Sequence, residues 1–412
     1  MKNLRKLLVV VLLTSFVGFL FVGFSNPASA SPRKPKEIRI CLLNDLTGPY
    51  ASASMPIRQG FLDACAYINE RGGIKGVPIK VVERDAGGKV GVAISHYMEI
   101  REMTPKPLGI VGYVSDEGEA LKERFVEDKI PAMWVTATPV LYPAQYTFGV
   151  YPIYPDFFGL FIDWMVDDWW PKQEWYKKRA PRLAFLTWDS SYGRAVLTDE
   201  CYAYAKKKGV EIVAAELYGL RDVDVTTQLV RIRSKKADWI YNNSTSHGPV
   251  VVAKSMHGLG YKVNFASTPF DHAVYRLGGE IMSGTIAPWS CRSPDEIEQP
   301  GVKIVLDYFK KIGRESKHRT NFYTLLWAVA LTFKEAISRA VDEVGWERLD
   351  GAAVKVQLER LGDFTPMGLY YPNYTSTKRS PHKAMICRAE GGKILPITGW
   401  RDCPDLRPAK FK

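Results

Sequence analysis

The chain has 412 residues, 46% of them hydrophobic and 12% aromatic, with 56 Lys and Arg against 44 Asp and Glu for a formal net charge of +12. That balance excludes a disordered or low-complexity chain, and six Cys in so long a chain exclude a disulfide-packed mini-domain. At roughly 100–200 residues per domain, the length predicts two domains.

Residues 1–30 have a composition of their own. Lys2, Arg5 and Lys6 precede an apolar run from Leu7 to Phe24, and Asn-Pro-Ala-Ser-Ala follows at 26–30, with Ala28 and Ala30 at the two positions a signal peptidase reads. The pattern predicts an exported protein cleaved before Ser31 and working in the periplasm; the competing reading is an uncleaved anchor, because an apolar run of this length can just span a bilayer. No Cys follows the run, so a lipid-anchored N-terminus finds no support. Removal of the segment takes three Lys/Arg with it and lowers the charge to +9. Export and the lack of any matching motif argue against nucleic acid as a partner.

From Ile38 onward, short β-branched runs alternate with helical patterns. Ile38 to Leu43 reads as a strand, Ile57 to Glu70 as a helix stopped by Gly72 and Gly73, Ile79 to Glu83 as a strand, Val90 to Glu102 as a helix and Leu108 to Gly112 as a strand. Phe157 to Trp175 is rich in Trp and reads as a helix with a packed aromatic face, or alternatively as a partner-docking surface. The alternation then restarts: strands at Leu183 to Thr187, Val210 to Glu216, Trp239 to Asn242 and Val263 to Ala266, with helices at Arg194 to Lys208, Val225 to Lys235 and Val250 to Gly258 between them. Longer helices follow at Val302 to Ile312, Phe322 to Ala340 and Ala352 to Leu361, before a Pro/Gly/Tyr-rich end. This order predicts two successive α/β lobes with parallel, doubly wound sheets.

Cys41 and Cys65 fall on apolar strand and helix faces and read as buried thiols. Cys387 and Cys403 flank a Gly-rich loop, where a local bridge and two free thiols are equally supported; Cys201 and Cys291 have no assignable partner. Lys172 to Arg182, the densest basic stretch, is broken by Glu174 and reads as a solvated face.

Enzyme motifs are missing. There is no Gly-Lys-Ser/Thr phosphate loop, no Gly-x-Ser-x-Gly elbow, no His-Glu-x-x-His and no Cys-x-x-Cys, and the six His are dispersed. The sequence therefore calls for no catalytic residue, no metal and no cofactor. Ser115 with Asp116 and Glu117 reads as a helix N-terminus, Ser capping and acids facing the dipole, rather than as a nucleophile with an acid. In open α/β sheets ligands lie beyond the carboxyl ends of strands. The residues there are Asn44 to Tyr50, Tyr113 to Asp116, Thr136 to Thr138, Trp188 to Gly193, Asn243 to Thr245 and Ser267 to Asp271: hydroxyls, amides and aromatic rings, suited to holding a small polar ligand.

Leu46-Thr47-Gly48-Pro49-Tyr50, the helix end Ile68-Asn69-Glu70-Arg71-Gly72-Gly73-Ile74, the turn Asp189-Ser190-Ser191-Tyr192-Gly193 and the closing Ile397-Thr398-Gly399-Trp400 resemble periplasmic solute-binding proteins of the branched-chain amino-acid ABC transporter family. The resemblance runs from about Ile38 to the C-terminus. It implies a type I periplasmic binding protein: two Rossmann-like lobes joined by three crossovers, with ligand in the cleft and the closed form docking on a membrane permease. The first lobe would hold residues 31–150 and 290–362 and the second 151–289 and 363–412, with crossovers at Pro152/Pro155, Pro288 to Pro294 and Phe364 to Gly368. The expected function is a solute receptor of an ABC importer, acting as a monomer and capturing an amino acid or other small carboxylate by hinge closure. The alternative is a sensor presenting an aromatic acid or amide to a membrane receptor.

Site residues carried over by position are Ser115, Asp116, Thr136, Ala137 and Thr138 for the ligand carboxylate, Tyr192 as the aromatic cover from the second lobe, and Thr245 with Asp271 where the family has an aromatic and an acid. Asp116 would repel a carboxylate unless it turns away to cap the helix, and the acid at Asp271 is displaced by about two places from the family's position.

Overall fold

Strands that read as near-continuous apolar runs become the centres of two parallel sheets, buried on both faces, as parallel sheets require. The computed structural model describes residues 34–135, 138 and 142–412; the expected signal peptide and two expected site residues, Thr136 and Ala137, lie outside the described residues. The first sheet is built from β1 (Ile38–Asn44), α1 (Ala51–Glu70), β2 (Ile79–Asp85), α2 (Val90–Arg101), β3 (Gly109–Gly112), α3 (Ser115–Asp128), β4 (Ala132–Trp134) and β5 (Thr147–Gly149). Its strands run parallel in the order β2-β1-β3-β4-β5.

The second repeats this scheme. After α4 (Tyr154–Trp164) come β6 (Arg182–Trp188), the single turn α5 (Ser191–Arg194), α6 (Asp199–Lys207), β7 (Glu211–Tyr218), α7 (Thr226–Ser234), β8 (Trp239–Asn242), α8 (Gly248–Gly258), β9 (Asn264–Ser267), α9 (His272–Gly278) and β10 (Ile286–Trp289). The parallel order β7-β6-β8-β9-β10 is the same permutation as in the first sheet. The chain then forms α10 (Pro300–Lys311), α11 (Asn321–Val344) and α12 (Gly351–Leu358), and returns to the second sheet as β11 (Lys383–Glu390), β12 (Lys393–Pro396) and β13 (Arg401–Asp402), antiparallel additions beyond β10.

α11 belongs with the first sheet. It packs along α1, and the pair is fastened where Tyr323 Oη donates to Asp63 Oδ2 at 2.8 Å and Arg314 Nε donates to the same oxygen at 2.8 Å. The chain thus passes between the two layers three times, and the passages lie side by side. Gly149 N donates to Arg379 O at 2.7 Å, Tyr374 Oη to Gly149 O at 2.9 Å, and Arg292 N to Leu369 O at 2.9 Å.

Three expectations change. The helix expected over Arg194 to Lys208 is two, because Thr198 Oγ1 accepts from Cys201 N at 3.3 Å and, with Asp199 and Glu200 behind it, starts a fresh helix. The aromatic helix ends at Trp164, where the backbone loosens into a π-turn over Met165–Trp169; Trp164 and Trp170 are buried and Trp175 is exposed. Cys387 and Cys403 are separate buried thiols. Cys403 N donates to His382 O, which sets it five positions along β11 from Cys387, about 16 Å at strand rise and beyond the reach of a disulfide.

The first turn of α3 carries an unusual burial. Glu117 is fully buried with neither carboxyl oxygen hydrogen-bonded to any described residue, and burial, reinforced by the carboxylates of Asp45, Asp116 and Asp85, pushes its acid up from 4.5 to about 8. The folded state therefore holds a proton that the unfolded chain releases at lower pH, and stability falls as pH rises from about 4.5 to about 8. Glu117→Gln should flatten that slope and stabilise the protein above pH 8 by about 1–3 kcal/mol, read by urea unfolding at pH 5, 7 and 9; an unchanged slope would show that Glu117 is already ionised in the fold.

Candidate ligand site

A doubly wound sheet opens a crevice where its strand order reverses. In the first sheet that point lies between β1 and β3, and in the second between β6 and β8. The residues that follow these four strands meet around one tight cavity of about 10 Å³. Tyr50 arrives after β1, Tyr113 and Val114 after β3, and Ser115 opens α3; Tyr192 lies in α5, Thr245 follows β8 and Pro269 follows β9. Tyr154 is added from the first passage between the sheets. Two larger hollows sit at the edges where strands begin, one by Leu108 and Trp346 and the other by Tyr261 and Ile281, but both are lined mostly by exposed or half-exposed side chains.

The Leu46 to Tyr50 motif is a loop wound on two carboxylates. Asp85 Oδ1 accepts from Leu46 N at 2.8 Å and its Oδ2 from Thr47 Oγ1 at 3.0 Å, while Asp45 accepts from Gly48 N at 2.6 Å and Tyr50 N at 3.0 Å. A Cβ at Gly48 would stand 2.3 Å from Gly87 O, so only glycine lets the loop close and turn Tyr50 inward. The Asp189 to Gly193 turn is built likewise. Ser190 Oγ accepts from Gly193 N at 3.1 Å, and a Cβ at Gly193 would lie 2.0 Å from Trp188 O. Tyr192 is held at both ends, its carbonyl accepting from Asn243 Nδ2 at 2.6 Å and its hydroxyl donating to Thr268 O, so it offers the cavity a ring face packed 4.7 Å from the Tyr154 ring.

Several contacts cross the crevice. Ser191 Oγ donates to Glu119 Oε2 at 3.0 Å, and Glu119 Oε1 accepts from Thr138 Oγ1 at 2.7 Å, so one carboxylate of α3 joins the loop after β4 to the turn after β6. Burial holds Glu119 above the usual carboxylate range, opposed in part by those two hydroxyls. The Tyr50 ring meets Trp188 edge-on at 6.0 Å. Every residue that lines the cavity is buried.

The expected residues divide accordingly. Ser115, Tyr192 and Thr245 line the cavity. Asp116 is half-buried in the first turn of α3, off the lining, and Thr138 is engaged by Glu119 instead. Ser115 is not the cap: Val114 occupies that position and makes no capping bond, so Ser115 is the first helical residue and the N-terminal, electropositive end of α3 meets the cavity. Asp271 sits just beyond Pro269. Its Oδ1 accepts from Ala273 N at 3.1 Å and Val274 N at 3.2 Å, capping α9, while Oδ2 is buried without a hydrogen-bond partner among the described residues. Burial raises the Asp271 carboxyl above its ordinary range, and its charge in turn raises the Tyr113 phenol, which burial already holds far up. Thr245 Oγ1 is also buried and lies beside the Tyr113 hydroxyl, whose upward shift it partly opposes. Tyr50, Tyr113, Val114 and Pro269 were visible as strand-end residues; Tyr154 carried no such signal.

Comparison with known proteins agrees with this architecture. The family profile of periplasmic binding proteins matches residues 37–393. A Leu/Ile/Val-binding protein homologue of Brucella abortus is 22% identical over 360 residues, covering 83% of this chain and 82% of its own. Among solved structures, a branched-chain amino acid ABC transporter protein from Thermus thermophilus with bound valine superimposes with a TM-score of 0.80 at 19% identity, covering 91% of this chain and 98% of that one. A fatty acid ABC transporter substrate-binding protein from Thermomonospora curvata gives 0.78 at 18% identity, covering 90% and 94%. With two lobes of repeated strand order facing one cavity and a family match across nearly all of the described chain, the protein belongs to the periplasmic binding protein family.

Proposed function

We propose that the protein is the solute receptor of an ABC importer, capturing an amino acid or other small carboxylate by closing two lobes, residues 31–150 with 290–362 and residues 151–289 with 363–412. It acts in the periplasm as a monomer and delivers its ligand to a membrane permease. The observation that carries this reading is the single cavity to which both sheets contribute their switch-point residues. A carboxylate suits the amino end of α3 with the Ser115 and Thr245 hydroxyls, and an ammonium suits Asp271 Oδ2, a buried acceptor with no partner among the described residues. The bound valine of the Thermus relative and the Leu/Ile/Val-binding name of the Brucella one support an amino acid.

A second reading, a sensor presenting an aromatic acid or amide to a membrane receptor, is favoured by the lining itself. Four tyrosine rings surround the cavity, and they suit a flat apolar body.

A thermal-shift screen across branched-chain and aromatic amino acids, aromatic acids and amides should find a stabilising class, since ligand at about 100 times Kd adds about 2.7 kcal/mol. Silence from all of them would count against the cleft as a ligand site. Tyr192→Ala should raise Kd about tenfold or more by removing the ring that covers the ligand, with the unliganded fold retained; unaltered affinity would dismiss Tyr192. Asp271→Asn keeps a residue competent to cap α9, so it should weaken an ammonium-bearing ligand about 100-fold and leave an aromatic acid nearly unaffected. Glu119→Ala should weaken every ligand by one common factor, about 3–10-fold, because it loosens the closed state rather than a ligand contact; calorimetric titration of two unlike ligands checks the equality.

A further inference from the structure

The edge of the second sheet opposite the cavity, where β6, β7, β8 and β9 begin, is also where the returning helices end. α6 finishes in exposed Lys206 and Lys207, and α7 in exposed Arg233 with Lys235 and Lys236 just beyond. Exposed Lys262 stands before β9, and the segment after α4 brings exposed Lys172, Lys177 and Lys178. These pieces form one surface. Arg179 Nη1 donates to Asp238 Oδ2 at 2.7 Å, tying the post-α4 segment to the start of β8; Asn264 Nδ2 donates to Asp238 O at 2.9 Å; and the Arg233 guanidinium lies 5.7 Å from the centre of the Tyr261 ring.

The acids of this edge are mostly spoken for. Asp163, Asp168, Glu211 and Asp238 pair with Lys208, Arg401, Arg182 and Arg179, which leaves Asp167 and Glu174. A helix C-terminus attracts a cation to its last turn, which accounts for Lys206, Lys207 and Arg233. It does not account for Lys177, Lys178, Lys236 and Lys262, which lie outside those helix ends. Among these charges Trp175 is 47% exposed and Tyr176 41%, with Lys178 Nζ 5.6 Å from the Trp175 ring centre and Lys177 Nζ 5.5 Å from that of Tyr176.

We propose that this edge docks on an anionic phospholipid bilayer, with Trp175 and Tyr176 entering the headgroup layer and the surrounding lysines neutralising lipid phosphates. The chemistry fits a diffuse anionic sheet better than a single acidic protein. Most of the free cations are lysines, compact point charges on flexible stems that reach scattered anions, and Trp and Tyr favour the membrane–water interface. Docking at this edge leaves the cavity, at the other ends of the same strands, free to take ligand.

The test is co-sedimentation of the exported mature protein with phosphatidylcholine vesicles, with and without phosphatidylglycerol. Binding should require phosphatidylglycerol and fade as ionic strength rises through roughly 0.15 M. Reversing Lys177, Lys178, Lys235 and Lys236 to Glu together should cut vesicle binding about tenfold or more, and Trp175→Ala alone should weaken it several-fold. Sedimentation indifferent to phosphatidylglycerol, full binding by the charge-reversed protein, or equally tight capture by a soluble polyanion such as heparin would each overturn the proposal. The ligand-induced thermal shift of the charge-reversed protein should match that of the unaltered one, which separates failure of this surface from failure of the cleft. If that variant does not fold, Trp175→Ala with the salt titration decides alone: unchanged binding and no salt dependence would overturn the proposal.

Discussion

Strand order is the constraint from which the rest of the molecule follows. In each sheet the second strand lies on one side of the first and the third on the other, so the helices after strands one and three leave in opposite directions and the backbone parts between them. A crevice of that kind cannot be filled by its own sheet. Here two of them face one another, and the loops that project from each become the lining of a shared space. The side chains placed there are consequences of geometry: Tyr50 is presented by a loop clamped on Asp45 and Asp85, and Tyr192 by a turn that tolerates only glycine at 193.

The same arrangement explains why polar groups accumulate at the centre of an otherwise apolar protein. Strand ends release backbone donors and acceptors that the sheet no longer pairs, and short hydroxyl and amide side chains can take them up. Asn242, Ser244 and Tyr218 satisfy one another in this way behind the cavity, with Tyr218 Oη donating to Ser244 Oγ at 2.8 Å. Asp271 Oδ2 has no such partner among the described residues and is buried nonetheless. An unpaired buried oxygen costs about 1–3 kcal/mol. Glu119 and Ser191 supply a bond across the gap that uses none of these atoms.

Much of the architecture could be read in advance because it rests on local pattern. β-branched runs at Ile38, Ile79 and Trp239, and the glycine stop at 72 and 73, specify their elements from a few neighbouring residues, and the family resemblance lay in motifs that proved to be the loop around Tyr50 and the turn around Tyr192. What escaped was short or non-local. β4 and β5 have three residues each, too few for a periodic signal, and β11 to β13 are strands only because β10 offers an edge about a hundred residues earlier. The cavity was partly legible for a similar reason. A strand end is visible in sequence, so the approach of Ser115, Tyr192 and Thr245 to the cavity could be read, but whether a side chain there turns inward depends on hydrogen bonds from elsewhere. Thr138 was claimed by Glu119, and Asp116 stayed outside. Tyr154 enters from a passage between layers, where position along a strand carries no information.

The fastening of α11 on α1 has a consequence for the order of events when the chain is made. Asp63 finds Arg314 and Tyr323 only after some 250 residues have intervened, and β11 completes the second sheet later still. Neither layer can finish early, because each waits for a segment near the carboxyl end, and contacts so distant in sequence slow folding. Interleaving the layers, which joins them beside the cavity in the finished molecule, thus also ties the completion of each to the last part of the chain to be made.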